Sequence, residues 1–69
     1  MRWLRQLVKE TVIVHLVGDE PSFKGILGAV HTDCLVLWEV QVLDSETRTT
    51  IDGELVVPRE RVSYLQRIV

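Results

Sequence analysis

The sequence predicts a mainly β protein, in which a short N-terminal helix precedes a five-stranded, strongly bent antiparallel sheet. Five runs rich in β-branched and other apolar residues are separated by short polar clusters, which is the pattern of strands joined by turns. Glycines lie inside two of these runs, where they mark the bends that curl a small sheet into a barrel. The first ten residues instead carry apolar side chains at helical spacing.

The helix is expected over residues 2–10, with Trp3, Leu4, Leu7 and Val8 on one face. Because a helix of about two turns is not stable alone, this face must lie on an apolar surface. The strands are expected at residues 11–17, 23–30, 34–43, 48–57 and 62–69. Polar turns are expected at residues 18–22, 31–33 and 44–47.

Irregularities are expected in the second and third strands and before the fifth. Gly25 and Gly28 predict bends or a close neighbouring backbone. Residues 35–38 are all apolar, which breaks the alternation of a strand and predicts either burial on both faces or a bulge. Trp38 is expected in the core or at a subunit interface. Pro58 cannot donate to a central ladder, so a single 3₁₀ turn is expected before the last strand.

The 69 residues are expected to form one domain, residues 1–69. A core of this size rarely supplies more than ~3–5 kcal/mol, and small folds usually add disulfides, a metal or oligomerisation. Cys34 is the single cysteine, and its spacing from His15 and His31 does not match a zinc site. We therefore expect self-association, rather than a metal or another cofactor, to complete the fold.

The composition predicts no membrane segment. The net charge is −2, and 46% of the residues are hydrophobic. The longest stretches without Asp, Glu, Lys or Arg are residues 11–18 and 25–32, which are far too short to span a bilayer. The N-terminus lacks the apolar centre of a signal peptide. We expect a soluble, cytoplasmic protein with no membrane partner.

The charges are unevenly distributed along the chain. Residues 11–57 contain eight acids and two bases, whereas the two ends together contain six bases and two acids. If the ends meet in space, the protein has a basic face and an acidic face. A basic face would suit contacts to the backbone of single-stranded RNA or DNA. Its residues would be Arg2, Arg5, Lys9, Arg59 and Arg61. The alternative is that these are ordinary solvated surface charges.

The order of the elements, a helix and five strands with a one-turn corner before the last, resembles the Sm-like (LSm) family and, more loosely, the SH3-like small barrels. The matching residues span nearly the whole chain: Val12-x-Val14-x-Leu16, Phe23-x-Gly25-x-Leu27-x-x-Val30, Leu35-Val36-Leu37, Gly53-x-Leu55-Val56-Val57 and Val62-x-Tyr64-Leu65. The Phe-x-Gly-x-Leu step is the most specific of them. The resemblance implies that the sheet closes into a small barrel.

Members of the family assemble into rings, usually of six or seven subunits, by pairing the fifth strand of one subunit with the fourth strand of the next. The resemblance implies a homo-oligomeric ring of this kind, with Val56, Tyr64, Leu65 and Ile68 at the subunit interface. The residues favour it independently, because the fifth strand is apolar on both faces and would leave an open edge that invites another strand. The alternative is that the last strand lies on its own barrel.

Rings of this family bind RNA through an acidic-apolar-Asn turn between strands two and three and an Arg-Gly turn before strand five. Here His31 stands in place of the Asp and Leu35 in place of the Asn, and Pro58-Arg59 replaces Arg-Gly. The amide that would hydrogen-bond a base edge is therefore missing, and base-specific recognition needs such contacts.

Two functions stay open. One is a non-catalytic Sm-like ring that binds single-stranded RNA or DNA through its basic face. The other is a structural or adaptor protein, such as a small component of a phage or of a larger complex, that binds no nucleic acid. An enzyme is not expected, because the sequence has no phosphate-binding glycine loop, metal box or nucleophile elbow. His31, Asp33 and Cys34 share one turn, and a polar turn beside a half-buried cysteine is a simpler interpretation than a Cys-His site.

Overall fold

A computed structural model of the protein describes residues 2–43 and 48–68. Two short 3₁₀ helices and five strands follow one another along this part of the chain. We label them η1 (Arg2–Leu7), β1 (Thr11–Leu16), β2 (Ser22–Val30), β3 (Cys34–Leu43), β4 (Arg48–Pro58), η2 (Arg59–Arg61) and β5 (Val62–Arg67). The predicted turn over residues 44–47 and the expected roles of the Arg2 and Trp3 side chains lie outside the described residues.

The five strands form one antiparallel sheet in the order β4-β3-β2-β1-β5, which confirms the predicted mainly β fold. β1 lies between β2 and β5, so both of its edges are paired. Within the described ranges, β4 pairs only with β3, and β5 pairs only with β1. The sheet is strongly bent, but its two edges do not pair with each other. The expectation of a closed barrel is corrected to an open sheet with two free edges.

The corner at η2 explains why the sheet stays open. The Arg59 N–H donates to the Asp33 carbonyl oxygen at 2.9 Å, and the Val17 N–H donates to the Arg61 carbonyl oxygen at the same distance. These bonds hold η2 between the β2–β3 turn and the end of β1. The chain therefore passes from one edge of the sheet to the other, and β5 pairs with β1 instead of with β4.

The bends of β2 lie at its two glycines. The register between β2 and β3 shifts at Gly25 and again at Gly28. A Cβ on Gly25 would lie 2.8 Å from the carbonyl oxygen of Trp38, and a Cβ on Gly28 would overlap the Trp38 ring. The close neighbour predicted from the glycines is thus Trp38 in both cases.

β3 contains a bulge where the alternation of apolar residues fails. Its register with β4 shifts between Trp38 and Val40, and Glu39 takes a φ of 52°. A bulge changes the face to which the following side chains point. Leu35, Leu37 and Val40 therefore all point to the core, whereas Trp38 lies on the outer face and is 40% exposed. Of the two expected placements of Trp38, the core is wrong, and a subunit interface stays a prediction.

The core lies on the inner face of the bent sheet. Its buried side chains come from all strands except β5. They are Val12, Val14, Leu27, Leu35, Leu37, Val40 and Val57. Leu4 of η1 is buried as well.

The N-terminal helix is shorter than predicted and has 3₁₀ rather than α geometry, ending at Leu7. Lys9 takes a left-handed φ of 75°, which turns the chain towards β2. The Lys9 N–H donates to the Leu27 carbonyl oxygen at 2.7 Å, and the Leu27 N–H donates to the Glu10 carbonyl oxygen at 3.0 Å. Because these tertiary hydrogen bonds capture residues 9 and 10, the helix cannot continue to residue 10. Some strand ends also differ slightly from the expected ones: β1 ends at Leu16, β2 begins at Ser22, β4 ends at Pro58 and β5 ends at Arg67.

Candidate functional site

The free edge of β4 carries an exposed apolar side chain beside acidic ones. Val56 is 58% exposed, and Asp52 and Glu54 are exposed on the same strand. Glu54 accepts a hydrogen bond of 2.7 Å from the indole N–H of Trp38, which fixes that ring on the outer face. An apolar residue on an unpaired strand edge is where a further strand adds most readily.

The free edge of β5 carries Tyr64, which is 57% exposed. Its ring stacks on His15 of β1, with ring centroids 4.2 Å apart and planes inclined by 17°. The His15 ring is held by Ser22, whose Oγ lies 3.0 Å from Nδ1, and by Gln66, whose Oε1 lies 3.2 Å from Nε2. With the proton on Nε2, Ser22 donates to His15 and His15 donates to Gln66. Tyr64 is thus supported in an exposed position, which local sequence did not indicate because its supporting residues are distant along the chain.

The four predicted interface residues lie on opposite edges of the sheet. Val56 belongs to the β4 edge, whereas Tyr64, Leu65 and Ile68 belong to the β5 edge or follow it. Val56 and Tyr64 are exposed, but Leu65 and Ile68 are half-buried, and Leu65 packs against the core. One chain therefore does not combine them into a single patch, and their place in an interface stays a prediction.

The predicted basic residues differ in whether a carboxylate neutralises them. Arg61 forms an ion pair and a hydrogen bond with Glu20. The hydrogen bond has the larger effect and the negative charge of Glu20 the smaller one, and both raise the pKa of the Arg61 guanidinium above its ordinary value. Arg5 and Lys9 are exposed and form no ion pair within the described residues. The side chain of Arg2 is not among those described. Glu20 therefore neutralises the charge of Arg61, whereas no carboxylate among the described residues forms an ion pair with Arg5 or Lys9 near η1.

The β2–β3 turn and η2 form one structural unit. The Arg59 guanidinium donates to the His31 carbonyl oxygen at 3.2 Å, in addition to the backbone bond from Arg59 to Asp33. Leu35, at the start of β3, points into the core and is 1% exposed. The fold thus brings together the two turns that the sequence singled out. The buried side chain of Leu35 occupies the position at which the sequence comparison indicated that an amide is missing.

A surface depression lies beside each free edge. The one next to β5 has a volume of about 260 Å³ and is lined by Leu4, Leu35, Arg59 and residues 62–65. The one next to β4 has a volume of about 560 Å³ and lies on the outer face. It is lined by Asp33, Cys34, Val56, Pro58, Arg59 and Glu60. Arg59 of η2 lines both depressions, so η2 lies between the two edges of the sheet.

The chemistry of the β2–β3 turn opposes a nucleophilic cysteine. Burial, the negative charge of Asp33 and a hydrogen bond to Asp33 raise the pKa of the Cys34 thiol. The His31 N–H donates to the Cys34 carbonyl oxygen at 2.9 Å, so this contact is made by the backbone and not by the imidazole. A nucleophilic Cys needs its pKa lowered, which is the opposite effect.

We expect Cys34 to react slowly with iodoacetamide at neutral pH, because a raised pKa leaves less thiolate at a given pH. Asp33→Asn removes the neighbouring negative charge and should speed the reaction at neutral pH, with the rate profile shifted to lower pH. Glu60→Gln, which changes another acid that lines the same depression, is the control for the loss of one acid. The rate of alkylation followed by mass spectrometry checks this, and an unchanged rate for Asp33→Asn would contradict it.

The described residues hold no cluster of three or more His, Cys, Asp or Glu side chains close enough to bind a metal ion. The longest helix among them is η1, with six residues. In residues 2–43 and 48–68, no helix combines the length and apolar character needed to cross a membrane.

No protein-family model matches the chain, and no curated protein matches it. Solved structures do match. A heptameric archaeal Sm protein is 21% identical with a TM-score of 0.86, and the likeness covers 100% of both chains. The SmAP1 heptamer of P. aerophilum is 22% identical with a TM-score of 0.86, covering 99% of this chain and 90% of that one.

A third likeness is to a chain in the crystal structure of the NatC complex bound to Gag peptide and CoA. It is 28% identical with a TM-score of 0.78, covering 91% of this chain and 87% of that one. The likenesses to the archaeal Sm proteins extend over nearly the whole of this chain, helix and all five strands included. The resemblance inferred from the residues is therefore confirmed at the level of structure, and the chain has the Sm-like fold.

Proposed function

We propose that this chain is a non-catalytic assembly protein that forms a homo-oligomeric ring of six or seven subunits. In this ring, β4 of one subunit pairs with β5 of the next. The observation that carries the proposal is the pair of free edges, each with an exposed apolar side chain, Val56 on β4 and Tyr64 on β5. Strand addition satisfies the unpaired backbone groups and covers both side chains. Two solved structures of the same fold, both of Sm heptamers, support it. We propose a cytoplasmic location.

The charges of the β4 edge favour pairing of β4 with β5 over pairing of β4 with itself. β4 presents Asp52 and Glu54, whereas β5 carries no acidic residue and ends at Arg67, which pairs with Glu10 of its own chain. Two β4 strands brought together would place like charges opposite one another, which is destabilising. A contact between two different edges is head-to-tail, and repeated head-to-tail contacts generate a ring when the rotation closes.

Val56→Arg should break the ring, because it places a charge on the apolar edge that the next subunit must cover. Light scattering at micromolar concentration should give six or seven times 7.9 kDa for the native chain and a much smaller mass for the variant. Val17→Arg is the control, since Val17 is also exposed but follows β1 and lies on neither free edge. A monomeric native chain, or a Val56→Arg variant that keeps the ring mass, would contradict the proposal.

The NatC likeness supports a second form of the same role, in which the strand added to a free edge comes from a different protein. The likeness to one chain of that complex covers 91% of this chain. In that case the protein is an adaptor subunit rather than a homo-ring. A native chain that is folded but monomeric when purified alone would favour this form, whereas a mass of six or seven subunits would favour the ring.

We propose as a further candidate that the ring binds single-stranded RNA or DNA through backbone contacts of Arg2, Arg5, Lys9, Arg59 and Arg61. The exposed Arg5 and Lys9, which form no ion pair among the described residues, support it. Repetition around a ring multiplies a modest positive patch into a larger field. The missing amide at Leu35 argues that any such binding reads the phosphates rather than the bases.

Arg59→Ala should weaken binding of a single-stranded oligonucleotide more than Arg61→Ala, because Glu20 already neutralises Arg61. Each phosphate that a variant no longer neutralises should reduce the slope of log affinity against log salt by about 0.7. Fluorescence anisotropy over a salt series measures both quantities. Lys24→Ala, which removes one positive charge from β2, is the control and should leave the slope unchanged. Absence of binding at low salt would exclude this candidate and leave assembly as the function.

A further inference from the structure

Each of the two free edge strands, β4 and β5, carries apolar side chains on both faces, and the positions of these side chains along the strands favour one pairing register. This inference rests on the proposed ring. On β4, Leu55 packs against the core, whereas Glu54 and Val56 are exposed on the outer face. On β5, Leu65 packs against the core opposite Val14, and Tyr64 is exposed on the outer face. Each edge therefore presents one inward Leu next to one outward apolar residue.

The side-chain period of a strand restricts the possible registers. Because a shift of one residue would exchange the inner and outer faces, registers that keep the core side inward differ by two residues. We infer that β4 pairs with β5 of the next subunit in the register that places Val56 opposite Tyr64. That register also places Leu55 opposite Leu65 on the inner face and Glu54 opposite Gln66 on the outer face.

The two neighbouring registers fit less well. A shift of two residues in one direction sets Glu54 opposite Tyr64 and leaves Leu55 opposite Ser63. A shift in the other direction sets Val56 opposite Gln66 and places Leu55 opposite Arg67. Both of them break the Val56–Tyr64 and Leu55–Leu65 pairs. The first forms only Val56 opposite Val62 instead, and the second forms Val57 opposite Leu65 and Pro58 opposite Tyr64, whereas the inferred register adds Pro58 opposite Val62 to its two pairs. The inferred register therefore has the largest number of apolar cross-strand pairs, which are the ones that stabilise a sheet.

The depression beside β4 is suited to receive Tyr64 of the next subunit. It lies on the outer face next to Val56 and has a volume of about 560 Å³. Val56 and Pro58 line it with apolar surface, and Asp33 and Glu60 contribute carboxylates. A tyrosine ring matches the apolar part, and its hydroxyl can donate to a carboxylate.

His15 acts as the positioning residue for this contact. Its ring stacks on Tyr64 of the same chain and is itself held by Ser22 and Gln66. A side chain that is ordered before association loses less conformational freedom when it binds. Tyr64 is therefore an anchor of the interface, and removal of the His15 imidazole should weaken the assembly without removing any residue that crosses the interface.

Disulfide cross-linking maps the register directly. In a Cys34→Ser background, Val56→Cys chains mixed with Tyr64→Cys chains should form a disulfide between subunits on mild oxidation. Directly opposite Cβ atoms lie about 4.5–5.5 Å apart, whereas an offset of two residues places them about 7–8 Å apart. The matched mixtures, Glu54→Cys with Tyr64→Cys and Val56→Cys with Gln66→Cys, should therefore cross-link much more slowly. Faster cross-linking in either of them would overturn the inferred register.

A second measurement keeps Val56 and Tyr64 intact. Because Gln66 faces Glu54 in this register, the Gln66→Lys chain should associate roughly four- to twentyfold more tightly than the Gln66→Glu chain. Gln66 also holds His15, and the loss of that contact does not depend on Glu54, so the test is the change of this ratio: in a Glu54→Gln background the charge-dependent difference should disappear. An equal ratio in both backgrounds would overturn the register. Light scattering of the native chain distinguishes failure of the register from failure of the proposed function. A native monomer refutes the ring. A native ring with the wrong cross-links refutes only the register.

Discussion

Leu37→Ala is expected to unfold the protein at room temperature or to leave it barely folded. Leu37 lies in the middle of β3 and is fully buried in the core cluster, where it pairs with Leu27 of β2 and Leu55 of β4. Truncation of a buried Leu to Ala costs about 2–5 kcal/mol, because apolar burial decreases and a cavity is left behind. A domain of this length rarely has more than ~3–5 kcal/mol available from its own core. The cost is therefore comparable to the whole stability of the subunit.

Urea denaturation followed by circular dichroism measures the effect. Association stabilises a folded subunit and makes its apparent stability depend on concentration, so native and variant chains are compared at one protein concentration. Val17→Ala is the matched control, because an exposed Val away from special features changes stability by about 0.5 kcal/mol or less. A Leu37→Ala midpoint close to that of the native chain would show that the core does not depend on this side chain.

The features that sequence predicted well are those encoded locally. The five strands follow from runs of β-branched residues between polar turns, and each of these signals is complete within about ten residues. The corner after β4 follows from Pro58, which has no N–H for the ladder, and η2 begins at the next residue. The bends of β2 follow from Gly25 and Gly28.

The features that sequence did not settle depend on contacts between distant parts of the chain. The helix ends early because the backbone of Leu27 captures Lys9 and Glu10. The basic face is interrupted because Arg61 meets Glu20, which lies between β1 and β2. Helical spacing indicates the helix correctly, and the charge count indicates the basic ends correctly. In each case the residue that changes the result, Leu27 or Glu20, lies in another part of the chain.

Trp38 illustrates how one residue changes the interpretation of a strand. The apolar run at residues 35–38 allowed either burial on both faces or a bulge. The bulge at Glu39 decides between them, because it lets Val40 point inward with Leu37 while Trp38 stays on the outer face. A spacing of two followed by a spacing of three between inward residues is the signal that distinguishes this case. An open edge on the fifth strand was one of two alternatives from the sequence, since no local pattern specifies whether β4 and β5 meet.

Gly25→Ala and Gly28→Ala are both expected to destabilise the fold by about 1–3 kcal/mol, the usual cost of forcing extra atoms into a packed region. The obstacle differs between them. The added Cβ at position 25 would lie 2.8 Å from the backbone carbonyl oxygen of Trp38 and 3.2 Å from a methyl group of Val40. At position 28 the three nearest atoms all belong to the indole ring of Trp38, and two of these carbons would lie 2.8 Å away.

This difference makes Trp38→Ala a selective rescue. In the Trp38→Ala background the indole is absent, so Gly28→Ala should cost little and the pair should show a large coupling energy in a double-mutant cycle. Gly25→Ala should remain costly in the same background, because its obstacle is backbone that the substitution leaves in place. Urea midpoints of the native chain, the single variants and the two double variants test this. Equal rescue of both glycine variants would contradict this expectation. It would mean that the ring of Trp38 sets the requirement for glycine at both positions, and not the close approach of β2 and β3. The bend of β2 would then depend on one side chain.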